Sequence, residues 1–190
     1  GGMWHYASAP PGREELFNFL KWLVVQVNKQ GVEIQLGTEA TAESVAKMSP
    51  DVVVVSSGNT PFIPDIPGKD GDNVLPATAV FDGKNKIGEK VVIVGGGGIG
   101  IEIAPHLAQR SNLRPDIVSF LSENNALEDE DKWLLERGEG EITMTTRQNT
   151  IGGSIGSFTR WVLAREVDNS GINVMYGTTA ENITDKGVVV

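Results

Sequence analysis

Lys90-Val91-Val92-Ile93-Val94-Gly95-Gly96-Gly97-Gly98-Ile99-Gly100 is the stretch that decides the fold. Its first half is a continuous apolar, β-branched run, the pattern of a strand covered on both faces in a parallel sheet. Its second half satisfies G-x-G-x-x-G at Gly95, Gly97 and Gly100, and the apolar residues after it predict a helix from about Gly98 to Arg110. Each glycine has a physical task. Gly95 allows the tight turn, Gly97 lets a diphosphate approach the backbone with no Cβ in the way, and Gly100 lets helix and strand pack closely. The helix start then offers free N–H groups and a partial positive charge to phosphate oxygens. Strand, glycine loop and helix in that order predict a Rossmann-like dinucleotide site, with Gly95, Gly96, Gly97, Gly98, Ile99 and Gly100 as its phosphate cradle. A glycine-rich turn that merely joins strand to helix is the plainer reading.

Composition narrows the chemistry. The chain has 190 residues, 39% of them hydrophobic, and 16 Lys and Arg against 25 Asp and Glu give a net charge of −9. That is enough apolar material for a core. The absence of Cys excludes a disulfide framework, a thiolate metal site and a dithiol redox centre within these residues, so redox chemistry here requires an organic cofactor. An isoelectric point near 4.7 argues against a nucleic-acid partner. No run approaches the ~18 apolar residues of a membrane span, and residues 1–10 have no signal-peptide pattern, so no membrane partner and a cytoplasmic setting are expected. His5 and His106, far apart and without Cys, read as surface or core histidines rather than metal ligands. The four Trp read as packing residues, and the acidic run Glu128 to Asp131 as a solvated face.

Working toward the N-terminus, Pro61, Pro64 and Pro67 with Gly58 and Gly68 mark a crossing between two units. Before it, Asp51 to Val55 predicts a second doubly covered strand, Thr41 to Lys47 a short helix capped by Thr41, Val32 to Leu36 an alternating strand, and Arg13 to Gln30 an amphipathic helix. Toward the C-terminus, Pro105 should kink or shorten its helix. Ser111 to Gly140 is polar and reads as a solvated insertion, with a short helix at Asp116 to Ser122. Then come a strand at Glu141 to Thr146, a helix at Gly156 to Val167, a strand at Ile172 to Tyr176, and a terminal strand pair at Thr179 to Thr184 and Gly187 to Val190.

The nucleotide preferred depends on the end of the second strand of this unit. An acidic side chain there accepts from the ribose 2′-hydroxyl of NAD, whereas Arg favours the 2′-phosphate of NADP. Asp116 to Leu121 and Glu141 to Thr146 compete for that place. The second alternates better, while Pro115-Asp116 suits a helix start. The strand then ends at Arg147, whose guanidinium forks well onto phosphate, so NADP(H) is expected and NAD(H) remains the alternative.

On these residues the chain resembles the FAD- and NAD(P)-binding C-terminal region of bacterial 2,4-dienoyl-CoA reductases, in the Old Yellow Enzyme-related group that includes trimethylamine dehydrogenase. Gly1-Gly2-Met3 with Pro10 to Glu15 is similar to that family's G-G-Q and P-G-K-E-E segments. Asp51 to Gly58 with Ile66-Pro67-Gly68 resembles its D-x-V-V-x-A-T-G…I-P-G crossing. Val91 to Gly100 resembles its glycine loop, and Ile151 to Trp161 its G-x-G-L-G-K-T-T-G-W stretch. Met3 stands where the family has Gln, Ser56-Ser57 where it has A-T, and Ser157-Phe158 where it has K-T.

The resemblance implies an α/β fold of two parts: residues 1–69 as part of an FAD-binding domain and residues 70–190 as the NAD(P)H-binding domain. It implies FAD contacts from Gly2, Met3, Trp4, Arg13, Ala40, Ser57 and Gly58, and a 2′-phosphate site at Thr146 and Arg147, with Thr146 replacing one member of the family's basic pair. It also implies that this chain is a fragment of a parent reductase, its partner, whose FMN and 4Fe-4S cluster are held elsewhere and whose substrate-side catalytic groups are not among these residues. Hydride would pass from NADPH to FAD. A non-catalytic nucleotide-binding scaffold is the alternative.

Overall fold

The computed structural model describes residues 2–10, 13–58, 60–109, 121, 123–126 and 140–190. At its centre is a three-stranded sheet in the order β1-β2-β3, formed by β1 (Lys90–Val94), β2 (Glu141–Thr145) and β3 (Asn173–Met175). Both pairings are parallel, with Val91 opposite Ile142, Ile93 opposite Met144, and Met144 opposite Val174. Parallel neighbours require a crossover. Helices α5 (Gly98–Gln109) and α6 (Ser157–Asn169) lie in the two crossovers and pack on each other. This confirms Glu141 to Thr145 as the strand beside β1.

The core sits where α5, β2 and α6 meet. Ile101, Ala104 and Leu107, spaced three apart on one stripe of α5, are buried with Ile142 and Met144 of β2 and Leu163 and Val167 of α6. Ile101, Met144 and Val167 are fully covered. Helix α5 continues through Pro105 as far as Gln109, although the missing N–H leaves the Ile101 carbonyl without its helical donor. Strand β1 departs from expectation. It lies at the edge of the sheet with Val92 41% exposed, and β2 takes the central place.

The N-terminal part differs more. Helices α1 (Met3–Ala7), α2 (Glu14–Lys29), α3 (Ala42–Lys47) and α4 (Ala77–Phe81) form, and Thr41 caps α3 in a reciprocal box with Ser44. The expected strands Val32 to Leu36 and Asp51 to Val55 do not form. Both are exposed chain, with Val54 and Val55 each 81% exposed. The cause is the absence of a hydrogen-bonded neighbour: among the described residues no strand pairs with either segment, and a β-branched run needs neighbours on both edges to be covered. Trp22 stacks on Phe19 at 5.7 Å but stays 53% exposed, and Trp161 is 62% exposed, so neither is the packing residue expected.

Arg13 pairs with Glu102 at 2.9 Å, and the Ile183 amide donates to the Pro67 carbonyl at 2.8 Å. Ile183 belongs to the antiparallel pair β4 (Asn182–Thr184) and β5 (Gly187–Val189), formed as expected. All but Leu121 of the expected helix Asp116 to Ser122, and the whole acidic run Glu128 to Asp131, lie outside the described residues. Among the described residues no helix is long and apolar enough to cross a membrane.

Candidate dinucleotide site

The glycine loop leaves the carboxyl end of β1 and enters α5 at once. Gly95 has φ +113°, a conformation L side chains rarely adopt, and its amide donates to the Thr145 carbonyl at 3.0 Å, tying the turn to the end of β2. A Cβ on Gly100 would collide with the Gly95 carbonyl and lie 3.6 Å from Ile93 Cγ2. The third glycine is therefore what brings α5 against β1. Gly96 is buried, with Ile151 Cγ2 and Thr146 Cβ both 3.0 Å from where its Cβ would stand.

Gly97 differs from its neighbours. Among the described residues beyond its chain neighbours, the nearest atom to a Cβ built there is Ser154 Oγ at 3.9 Å, so the space they leave over this residue is open. The Gly97 carbonyl accepts from the Ile101 amide at 3.0 Å, which makes Gly97 the residue before the first turn of α5. Of the amides around that turn, Gly98 donates to Ser154 Oγ at 3.0 Å. Those of Gly97, Ile99 and Gly100 have no acceptor among the described residues. Free donors, a helix dipole and an open approach are what a diphosphate requires.

A second glycine segment walls the loop from the far side. The Gly152 amide donates to the Gly96 carbonyl at 2.7 Å, and Ser154 comes from the same segment. Sequence reasoning assigned this stretch no role at the loop. The signal was present, however, in the clustering of Gly152, Gly153 and Gly156 just beyond the second strand.

Thr146 and Arg147 follow β2 at the same carboxyl end of the sheet. Thr146 is 6% exposed, donates its amide to the Met175 carbonyl at 3.0 Å and receives the Thr178 amide at 2.8 Å. Its hydroxyl accepts from the Gln148 amide at 3.3 Å, so it organises the turn from beneath. Arg147 is exposed and has no ion-pair partner among the described residues. Lys69 and Lys90 are held above the usual 10.5 by hydrogen bonds to, and attraction from, Asp70 and Glu141 respectively. Lys90 opens β1 at the end of the sheet opposite the loop, and neither lysine belongs to the site.

The residues carried over for FAD are not assembled in this way. Trp4 donates from Nε1 to the Leu16 carbonyl at 2.7 Å and tilts against Phe19 at 5.7 Å. Arg13 is engaged by Glu102 at one edge of a cleft of about 580 Å³ between α5 and α6, which does not include the glycine loop. Gly2, Met3, Ala40, Ser57 and Gly58 are exposed, and no hydrogen bond or ring contact joins Ala40, Ser57 or Gly58 to Trp4 or Arg13 among the described residues.

A parallel β-α-β unit with a glycine loop at its carboxyl edge is a Rossmann-like dinucleotide-binding domain. The chain belongs to the pyridine nucleotide-disulphide oxidoreductase family, whose profile matches residues 4–190. It is 34% identical to a metal reductase of Desulforamulus reducens over its whole length, which covers 29% of that protein. It is 38% identical over 65% of its length to an NADH oxidase of Thermoanaerobacter brockii, covering 19% of that protein. A solved 2-naphthoyl-CoA reductase superposes on 99% of the chain with a TM-score of 0.74 and 26% identity, over 24% of its own chain. This chain therefore spans less than a third of the length of these relatives. Membership makes it an oxidoreductase-type domain of a family that uses FAD and NAD(P)H. The disulphide of the family's name has no counterpart in these residues, which contain no Cys.

Proposed function

We propose that the chain is the pyridine-nucleotide-binding piece of a flavoprotein oxidoreductase in which NADPH delivers hydride to FAD. The observation that carries this reading is the open backbone at Gly97, bordered by the unfilled amides of Gly97, Ile99 and Gly100. In this reading residues 70–190 hold the dinucleotide and residues 1–69 contribute to an FAD domain completed by the rest of the parent, in a cytoplasmic setting. The amides bind the diphosphate, Thr146 shapes the turn after β2, and Arg147 takes the 2′-phosphate as a fork. The protein's contribution to the reaction is to fix the nicotinamide end relative to its acceptor. The parent we favour resembles a 2,4-dienoyl-CoA reductase, with FMN and a 4Fe-4S cluster outside these residues, and the similarity to a 2-naphthoyl-CoA reductase supports a CoA thioester as its substrate.

A relative named NADH oxidase favours NADH as the second reading. Calorimetric titration of the chain with NADPH and NADH, repeated on Arg147→Ala, separates the two. Tighter binding of NADPH that falls to parity with NADH in the variant supports the 2′-phosphate role. Equal affinities, unchanged by the substitution, leave Arg147 as a surface charge and favour NADH.

A further inference from the structure

Ser154 stands beside Gly97, over which the loop is open among the described residues. Its hydroxyl oxygen accepts from the Gly98 amide at 3.0 Å, and a hydroxyl has a single hydrogen of its own to donate. That hydrogen has no acceptor among the described residues. Among the described residues beyond its chain neighbours, that oxygen is the atom within 4 Å of the position a Cβ would take on Gly97, at 3.9 Å, so it borders the space left for a ligand. The serine is not part of α5. It arrives from the loop beyond β2, and that loop is anchored two residues earlier by the bond from the Gly152 amide to the Gly96 carbonyl at 2.7 Å. The hydroxyl is therefore held over the glycine loop by a contact other than its own.

We propose that Ser154 is a diphosphate ligand of this site: its hydroxyl accepts from Gly98 and donates to a phosphate oxygen of the bound dinucleotide. The inference rests on the dinucleotide reading above and adds a ligand from the second glycine segment. A phosphate oxygen is an anionic acceptor, the partner an uncommitted hydroxyl donor lacks. The amide behind the hydroxyl polarises it, and the N-terminal end of α5 favours the negative charge it would meet. Because the diphosphate is common to both pyridine nucleotides, Ser154 contributes to affinity and not to the choice between them. In that respect it is the opposite of Arg147.

The test is titration of the 190-residue chain, wild type, Ser154→Ala and Ser154→Thr, with NADH, NADPH and ADP-ribose, with the melting temperature of each variant alongside. The expected result is a loss of affinity in Ser154→Ala by one common factor for all three, roughly tenfold for a hydrogen bond to a charged group, and recovery in Ser154→Thr. A lower melting temperature with unchanged affinities would make the serine a helix cap only and overturn the proposal. Tighter binding in Ser154→Ala would overturn it too, because the hydroxyl would then be a plug that the phosphate displaces. A wild-type chain that binds none of the three would instead bring down the dinucleotide reading on which the proposal rests.

Discussion

At the scale of single residues, the glycines of one loop divide into those the fold needs and Gly97, which the proposed diphosphate would need. A side chain on Gly100 meets the Gly95 carbonyl, which is backbone and cannot swing away. Gly100→Ala is therefore expected to destabilise the chain by about 1–3 kcal/mol, in the range of overpacked sites. Among the described residues, a side chain on Gly97 meets nothing beyond its chain neighbours closer than 3.9 Å. Gly97→Val should keep the wild-type melting temperature and abolish detectable binding of NADPH and NADH alike, because it fills the diphosphate approach. Thermal unfolding and calorimetry on the two variants check the division. A Gly97→Val chain that binds normally would leave the loop as a connector. The sequence already showed the turn at Gly95 and the close packing at Gly100 through their spacing. It did not show Ser154, because a contact across 56 positions depends on how the loop after β2 folds back.

At the scale of elements, legibility followed how locally each element is determined. Helix α3 is fixed by Thr41 and Ser44, three residues apart, and could be read from them. The parallel partner of β1 was legible because Ile142-Thr143-Met144 alternates, whereas Pro115-Asp116 suits a helix start. Asp51 to Val55 misled for a physical reason: a β-branched run states a preference for covered, extended chain, but the partners that would cover it are not in the run itself. Helix α5 against β2 is the packing that places the loop, and Met144 of β2, like Ile101 and Ala104 of α5, is 0% exposed in the same core cluster. Met144→Ala is expected to cost about 2–5 kcal/mol of stability, the range for emptying a closed core position. Urea unfolding followed by circular dichroism measures it. A loss well under 1 kcal/mol would mean that the helix and strand collapse freely into the gap, contrary to close packing.

At the scale of the whole molecule, the chain is unequal in its two parts, and that asymmetry can be tested. Every residue of the hydrophobic core lies between Ile101 and Ile172, whereas among the described residues up to 69 only Pro10 is buried. Protection from hydrogen exchange follows paired, covered backbone, so it should be graded in the same way. Amides of β2, α5 and α6 are expected to exchange last. Those of 32–36 and 51–55, which have no strand partner, are expected to exchange at close to the rate of free peptide, and NADPH should slow exchange at Gly97 to Gly100 without reaching 51–55. Mass spectrometry of peptic fragments resolves these segments. Strong protection at 51–55 would show that the valine run has found a strand to pair with, within the chain or in a second copy of it. A concentration series would then expose that association, since pairing between copies weakens on dilution and pairing within one chain does not. Unprotected valines beside a protected nucleotide domain would establish that residues 70–190 carry the fold unaided, while the first part has the composition of a covered layer without its cover.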